Sequence, residues 1–292
     1  MTRRDPALRR PPSLAVGVAL AWRLRVLVGV LWVVHHLLVA PLWGVAVTTF
    51  GGSPALRLDP GAPESEWLVV ALELARPVLW PLAAASASTI VAWWVWTVLW
   101  RAGVVTWAVW GRAGRPRVSE ILGHGLVRWW RFAGLHVVAV AVLTATLGGA
   151  GFLAVGRFDS AVGGAGDGRL LGWAVVGAVL VVGSMVAVGA VVAAGCWRLG
   201  TPGVHSALRA LWQGVVVVGR HPLRAAMVTV VWWVTAGLTA MGPVWLAVNG
   251  ASPATVVVVL EVCLAVRAAC RVAFLGSFLP VLGVESEVAR SR

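Results

Sequence analysis

The chain has 292 residues, of which 60% are hydrophobic and 12% charged, with 24 basic residues against 11 acidic ones and a formal net charge of +13. With a strongly positive mean hydropathy, this composition excludes an ordinary soluble domain and leaves an integral membrane protein made of helices, with no room for a separate soluble domain. The charge does not imply nucleic acid as a partner, because the arginines are spread over alternate segments between apolar runs, where membrane orientation requires them.

Taken in order, residues 1–25 form a basic cytoplasmic N-terminus and a short interfacial helix whose Arg23 and Arg25 can snorkel. The apolar run after it is too long for a secretory signal, so this end is expected to be retained. The first span covers 26–50 and holds His35, His36 and Pro41. Residues 51–66 read as a loop, and 67–81 as an interfacial helix on the outer side, broken at Pro77 and Pro81. The second span, 82–100, opens with the small residues AAASAS, which admit a close neighbour.

The stretch 101–131 carries Arg101, Arg112, Arg115, Arg117, Arg128 and Arg131 against the single acid Glu120. Its segment VSEILGHGLVRWWRF alternates apolar and basic residues at helical spacing and is expected to lie along the membrane surface before the third span, 134–155. Residues 156–168 are flexible by composition. The fourth span, 171–194, has close-packing pairs at Ala174/Ala178 and Ala190/Ala194. A second basic segment with Arg198, Arg209, Arg220 and Arg224 leads to the fifth span, 225–248, and a short loop to the sixth, 254–274. The six-span domain thus covers 26–281, followed by a cytoplasmic tail, 282–292. The expected fold is an all-α membrane bundle.

Eighteen arginines fall in the segments before the first span and after the second, fourth and sixth, against Arg57, Arg157 and Arg169 in the alternate loops and Arg76 in the outer interfacial helix. This positive-inside bias puts both termini in the cytoplasm. Near Ser13, Ser119 and Ser206 an amphipathic segment with Trp and Arg opens an outward span, an outer loop and a returning span; the returning spans end in LWRAG, CWRLG and AFLGS. Three hairpins are expected, each preceded by an interfacial helix, although membrane topology alone also makes inner loops look alike.

The sixth span carries charge: Glu261, Arg267 and Arg271. Each costs roughly 2.5–3.5 kcal/mol near a bilayer centre, so they are expected to face protein. Arg267 and Arg271 share a helical face, whereas Glu261 is turned by about 240° from Arg267 and lies ~9 Å along the axis. Glu261 therefore needs a partner on another helix, and His35 or His36 is the first choice. The functional alternative is an ion, proton or headgroup site; the structural one is an internal pair for Glu261 and snorkelling for Arg271.

Adjacent His35 and His36 point about 100° apart and make no metal pair. Cys196, Cys263 and Cys270 form no CxxC and read as small packing residues, so no metal and no cofactor is expected. There is no lysine, no nucleophile elbow and no phosphate-binding glycine loop. Arg112, Arg115, Arg117, Arg128, Arg131, Arg209, Arg220 and Arg224 are candidates for anionic headgroups.

The span VLVGVLWVVHHLLVAPLWGVAV, the RWWRF segment and the RAAMVTVVWW opening of the fifth span resemble those of an uncharacterised family of bacterial inner-membrane proteins with about six spans and basic surface helices. The resemblance implies architecture and location, and no functional residue. The expected function is non-enzymatic interaction, as accessory or scaffold for a membrane complex or for lipid, with membrane lipids, another membrane protein or a second copy as partners. The alternatives are a small transporter using Glu261 with His35 and His36, then a lipid-modifying enzyme.

Overall fold

Where the chain breaks its helices is set by a few residues. At His221 the following proline pushes the backbone out of the helical region, to φ −134°, and Pro222 begins a new helix where its missing N–H costs nothing. Gly250 takes φ +76°, Ser252 caps the next helix by accepting from the Thr255 N–H at 3.1 Å, and Pro253 occupies the first turn. Gly203, at φ +81°, turns the chain ahead of the Ser206 cap.

The computed structural model describes residues 13–50, 64–110, 116–162 and 167–280. Among these all regular structure is helical: α1 (Ser13–Arg23), α2 (Arg25–Phe50), α3 (Glu64–Trp110), α4 (Val118–Val162), α5 (Asp167–Gly200), α6 (Ala207–Arg220), α7 (Pro222–Val248) and α8 (Pro253–Ser277). Five of them contain stretches long and apolar enough to cross a membrane: 25–42, 83–110, 118–146, 175–200 and 222–246. The sixth expected span, α8, has 25 residues but carries Glu261, Arg267 and Arg271.

Three boundaries differ from expectation. Pro77 and Pro81 do not break the chain, and the segment expected to lie on the outer surface is part of the 47-residue α3. A proline removes one backbone bond and can be carried within a long helix whose neighbours remain bonded. Likewise VSEILGHGLVRWWRF runs directly into the third span as one helix, since no proline intervenes and Gly134 keeps a negative φ. The same helix continues through 156–162 in place of the expected loop start.

The chain divides into two units, residues 1–28 with 98–292, and residues 29–97. In the second unit α2 and α3 pair through Thr89, which donates to the Leu38 carbonyl at 3.2 Å, and through the His35 and Trp93 rings, 5.1 Å apart.

The core of the first unit gathers at one level of its helices. Trp100, Phe132, Leu135, Trp197, Val228, Leu275 and Phe278 are all buried there, while Val179, Leu180, Val182, Leu238 and Val258 further along α5, α7 and α8 are exposed. Three crossings follow one plan. A Cβ on Gly125 of α4 would strike the Leu99 carbonyl oxygen of α3, and one on Gly103 would strike that of Ile121. A Cβ on Gly214 of α6 would lie 2.6 Å from the Val191 carbonyl oxygen of α5. A Cβ on Gly17 of α1 would strike the Ala273 carbonyl oxygen of α8. In each case the obstructing carbonyl precedes a small residue by one turn: Gly103, Gly195 and Ser277. Only residues without bulk let the backbones come this close.

Tryptophan N–H groups tie these ends together. Trp197 donates to the Leu275 carbonyl at 2.8 Å, Trp232 to Ser277 Oγ at 3.1 Å and Trp110 to the Gly200 carbonyl at 2.9 Å. The crossings give a paired expectation for thermal unfolding in detergent. Gly125→Leu should destabilise by about 1–3 kcal/mol or more through overpacking. Gly123→Ala, two residues away with open space around it, should stabilise by up to about 1 kcal/mol through helix propensity.

Candidate functional site

Arg267 and Arg271 stand one turn apart on α8 and line the same cavity of about 570 Å³. Arg101 of α3 and His136 of α4 reach it from other sides. Leu143, Met185, Val188, Trp232, Trp233 and Phe274 supply most of its apolar wall. Among the described residues no aspartate or glutamate lines it. Val140 and Trp233 are themselves exposed, so the cavity is open at its side.

Local structure fixes the polar end. Arg101 follows the buried Trp100 and its guanidinium lies 5.6 Å from that ring. His136, on the next turn of α4 after Phe132, holds the Phe132 carbonyl oxygen at 2.8 Å through Nδ1 and the Arg101 Nη1 at 3.1 Å through Nε2. A carbonyl only accepts and a guanidinium only donates. His136 is therefore the neutral tautomer with its proton on Nδ1, and its lone pair on Nε2 orients Arg101. Arg101 Nε is buried and has no hydrogen-bond partner among the described residues. Arg271 is within electrostatic reach of both Arg267 and Arg101.

The cavity thus offers donors and positive charge and no free acceptor of its own from these four residues. Like charges converging between apolar walls repel more strongly than in water, and a bound anion would relieve that repulsion. Guanidinium groups recognise phosphate and carboxylate oxygens through paired N–H bonds.

The other candidate residues lie elsewhere. Glu261 is half-buried on α8 and is not among the cavity lining. His35 and His36 belong to the second unit, where His36 Nδ1 donates to the Trp32 carbonyl at 2.9 Å and its ring lies 4.9 Å from that of Trp32. Arg112 and Arg115 lie outside the described residues. Arg117, Arg209, Arg220 and Arg224 are exposed. Arg128 lies over the Trp110 ring at 5.3 Å, and Arg131 over Trp130 at 5.2 Å with its Nη1 donating to His205 Nδ1 at 3.1 Å. Among the described residues no three His, Cys, Asp or Glu side chains gather as metal ligands would.

Sequence reasoning counted Arg101 among the arginines that orient the chain and passed over His136. Its available signal was depth: Arg101 ends the second span and His136 begins the third, so both sit at one level.

Fold and site together define a class, a helical protein with five helices long and apolar enough to cross a membrane and a cationic cavity lined by α3, α4, α5, α7 and α8. Comparison with protein families, curated proteins and solved structures finds no match for the chain.

Proposed function

We propose that this protein is a non-enzymatic, six-span bundle of a bacterial inner membrane that acts by binding lipid, with an anionic headgroup held in the cavity by Arg101, Arg267 and Arg271. The observation that carries this reading is that three arginines and a neutral histidine line one apolar-walled cavity whose lining, among the described residues, includes no carboxylate. Its volume is in the range of small-molecule sites, roughly 300–1,000 Å³, and exceeds a headgroup alone.

In this reading α8 is the sixth span and both termini are cytoplasmic. Three hairpins follow one another, the end of each returning span packing on the helix that opens the next, and the third closing on the first through Gly17 and Ala273. Aligning the three crossings puts Arg101 in register with Ala193 and Leu275, Arg267 with Trp93 and Met185, Arg271 with Thr97 and Gly189, and His136 with Val28 and Ala225. Uncharged residues fill these places in the other repeats, so the packing plan does not require the charges. The polar end of the cavity then lies toward the inner leaflet and its apolar walls run toward mid-membrane, the orientation of a lipid drawn in from the cytoplasmic side. The exposed arginines of the inner face add general attraction for anionic lipid, about 1 kcal/mol each near the surface.

The test is native mass spectrometry of the full chain released from nanodiscs of mixed zwitterionic and anionic lipid. The wild type should retain about one anionic lipid per chain, and Arg267→Gln with Arg271→Gln should cut retention by about tenfold or more. Glu261→Gln should leave retention unchanged. Equal lipid complements in the wild type and the double variant would contradict the proposal; loss in Glu261→Gln, with proton or ion flux in liposomes, would favour the transporter alternative.

A further inference from the structure

Resting on the lipid reading, we infer that the recognition element of the cavity is the Nε edge of Arg101, which takes two equivalent oxygens of one anionic group side-on, and that His136 is the positioning residue for that edge. The inference comes from which nitrogens of Arg101 are engaged. A guanidinium is a rigid plane whose N–H bonds point in fixed directions. Nη1 is the terminal nitrogen on the Cδ side. The Nε–H points the other way, beside Nη2, and those two nitrogens form a fork that matches a pair of oxygens on one phosphorus or one carbon. His136 takes Nη1 at 3.1 Å, and the buried Nε has no hydrogen-bond partner among the described residues. The histidine thus occupies the one nitrogen that this fork does not use.

The edge is also fixed in place before a ligand arrives. His136 is buried, and its ring is set by the Phe132 carbonyl one turn back on α4. The buried Trp100 ring lies 5.6 Å from the guanidinium on another side. An arginine restrained in this way loses little side-chain freedom on binding. Its Nε–H is the donor that the fold leaves unused, and an unmade hydrogen bond in a buried place favours any ligand that supplies the acceptor. Side chains that now screen Nε turn aside as the oxygen enters, a rotamer change of the kind that binding commonly brings. Recognition by this edge depends on donor direction, whatever compensates the charges of Arg267 and Arg271. The free oxygens of a phospholipid phosphate supply the pair, as does the carboxylate of a fatty acid, whereas an alcohol or a single carbonyl offers one oxygen and leaves half of the fork empty.

The experiment is a competition on the purified full-length protein in neutral detergent, read by native mass spectrometry. Phosphatidylglycerol competes with its phosphorothioate analogue of identical acyl chains, in which sulfur, a weak acceptor, replaces one of the two free oxygens and the charge is kept. The wild type should prefer the all-oxygen lipid by about threefold or more. Arg101→Lys keeps the cation without the fork and should cut retention of phosphatidylglycerol by about tenfold. His136→Leu should cut it similarly and bring the preference between the analogues close to one. His136→Gln, which returns an acceptor near the place of Nε2, should recover most of both. A fatty acid of matched chain length forms a further arm and should fail to displace phosphatidylglycerol at equal concentration.

Equal retention of the two analogues by the wild type, both lost in Arg267→Gln with Arg271→Gln, would overturn the inference and leave the lipid reading standing. Undiminished retention in Arg101→Lys would overturn the fork from the protein side. Equal losses in His136→Leu and His136→Gln, with the preference between the analogues unchanged, would overturn the positioning role. Wild-type retention no higher than that of the Arg267 and Arg271 double variant would overturn both the inference and the lipid reading. Displacement by the fatty acid would overturn a phospholipid as the source and keep the fork. The comparison of analogues is made on the wild type, so a variant that fails to fold leaves the inference exposed to refutation.

Discussion

Arg267→Met is expected to make the lipid-free protein more stable, by about 1–3 kcal/mol, and at the same time to weaken its stabilisation by anionic lipid. Arg267 shares the cavity with Arg101 and Arg271, whose like charges lie within electrostatic reach of one another, and among the described residues no carboxylate lines that space. An apolar side chain of similar length removes one of those charges while filling the same volume, and replacement of buried charge by well-packed apolar groups is commonly neutral or stabilising. In the wild type, lipid at about 100 times its Kd should add about 2.7 kcal/mol. Thermal unfolding in neutral detergent, with and without phosphatidic acid, reads both effects. A variant less stable than the wild type without lipid, with an undiminished response to it, would show that Arg267 serves packing alone.

Trp197→Ala should have the largest effect on stability, about 3–5 kcal/mol, as expected for emptying a buried tryptophan site. Trp197 is 2% exposed and lies where α5 meets α8, its N–H bonded to the Leu275 carbonyl. Trp197→Phe separates the two contributions. The Leu275 carbonyl also accepts from the Phe278 N–H at 3.3 Å, so the lost bond should cost only about 1 kcal/mol beyond the lost volume. The measurement is chemical or thermal unfolding of both variants in one detergent. Equal losses in Ala and Phe would mean that the hydrogen bond, and not the ring, holds this junction.

These expectations rest on features of unequal legibility in the sequence. The helical fold and the long apolar stretches follow from composition and periodicity, because every backbone polar group in a bilayer must be satisfied within the chain. Arg267 and Arg271 stand out because charge inside an apolar run is costly, and their spacing of four puts them on one face. The remainder of the cavity was hidden for physical reasons. In the sequence Arg101 directly follows the expected second span, where an arginine normally sets orientation, and nothing local distinguishes the two uses. His136 matters through a bond to a residue 35 positions earlier, a contact that no local pattern reports.

Boundaries failed in a similar way. Pro77, Pro81 and Gly134 are breakers by propensity, but α3 and α4 run through them, since a long helix has bonds on both sides to carry one weak turn. The closure of α1 on α8 brings together Gly17 and Gly276, with the Gly17 Cα 3.1 Å from where a Cβ on Gly276 would sit. In the sequence these are two glycines among 34, and only the approach of the backbones gives them a role.

The most direct measurement is a crystal structure of the full chain grown from a lipidic mesophase doped with phosphatidic acid. The account predicts phosphate density within hydrogen-bond distance of Arg101, Arg267 and Arg271, with the acyl chain leading along Trp232 and Leu143. Lipid density confined to the outer surface of the bundle, with only water among the three guanidinium groups, would contradict it.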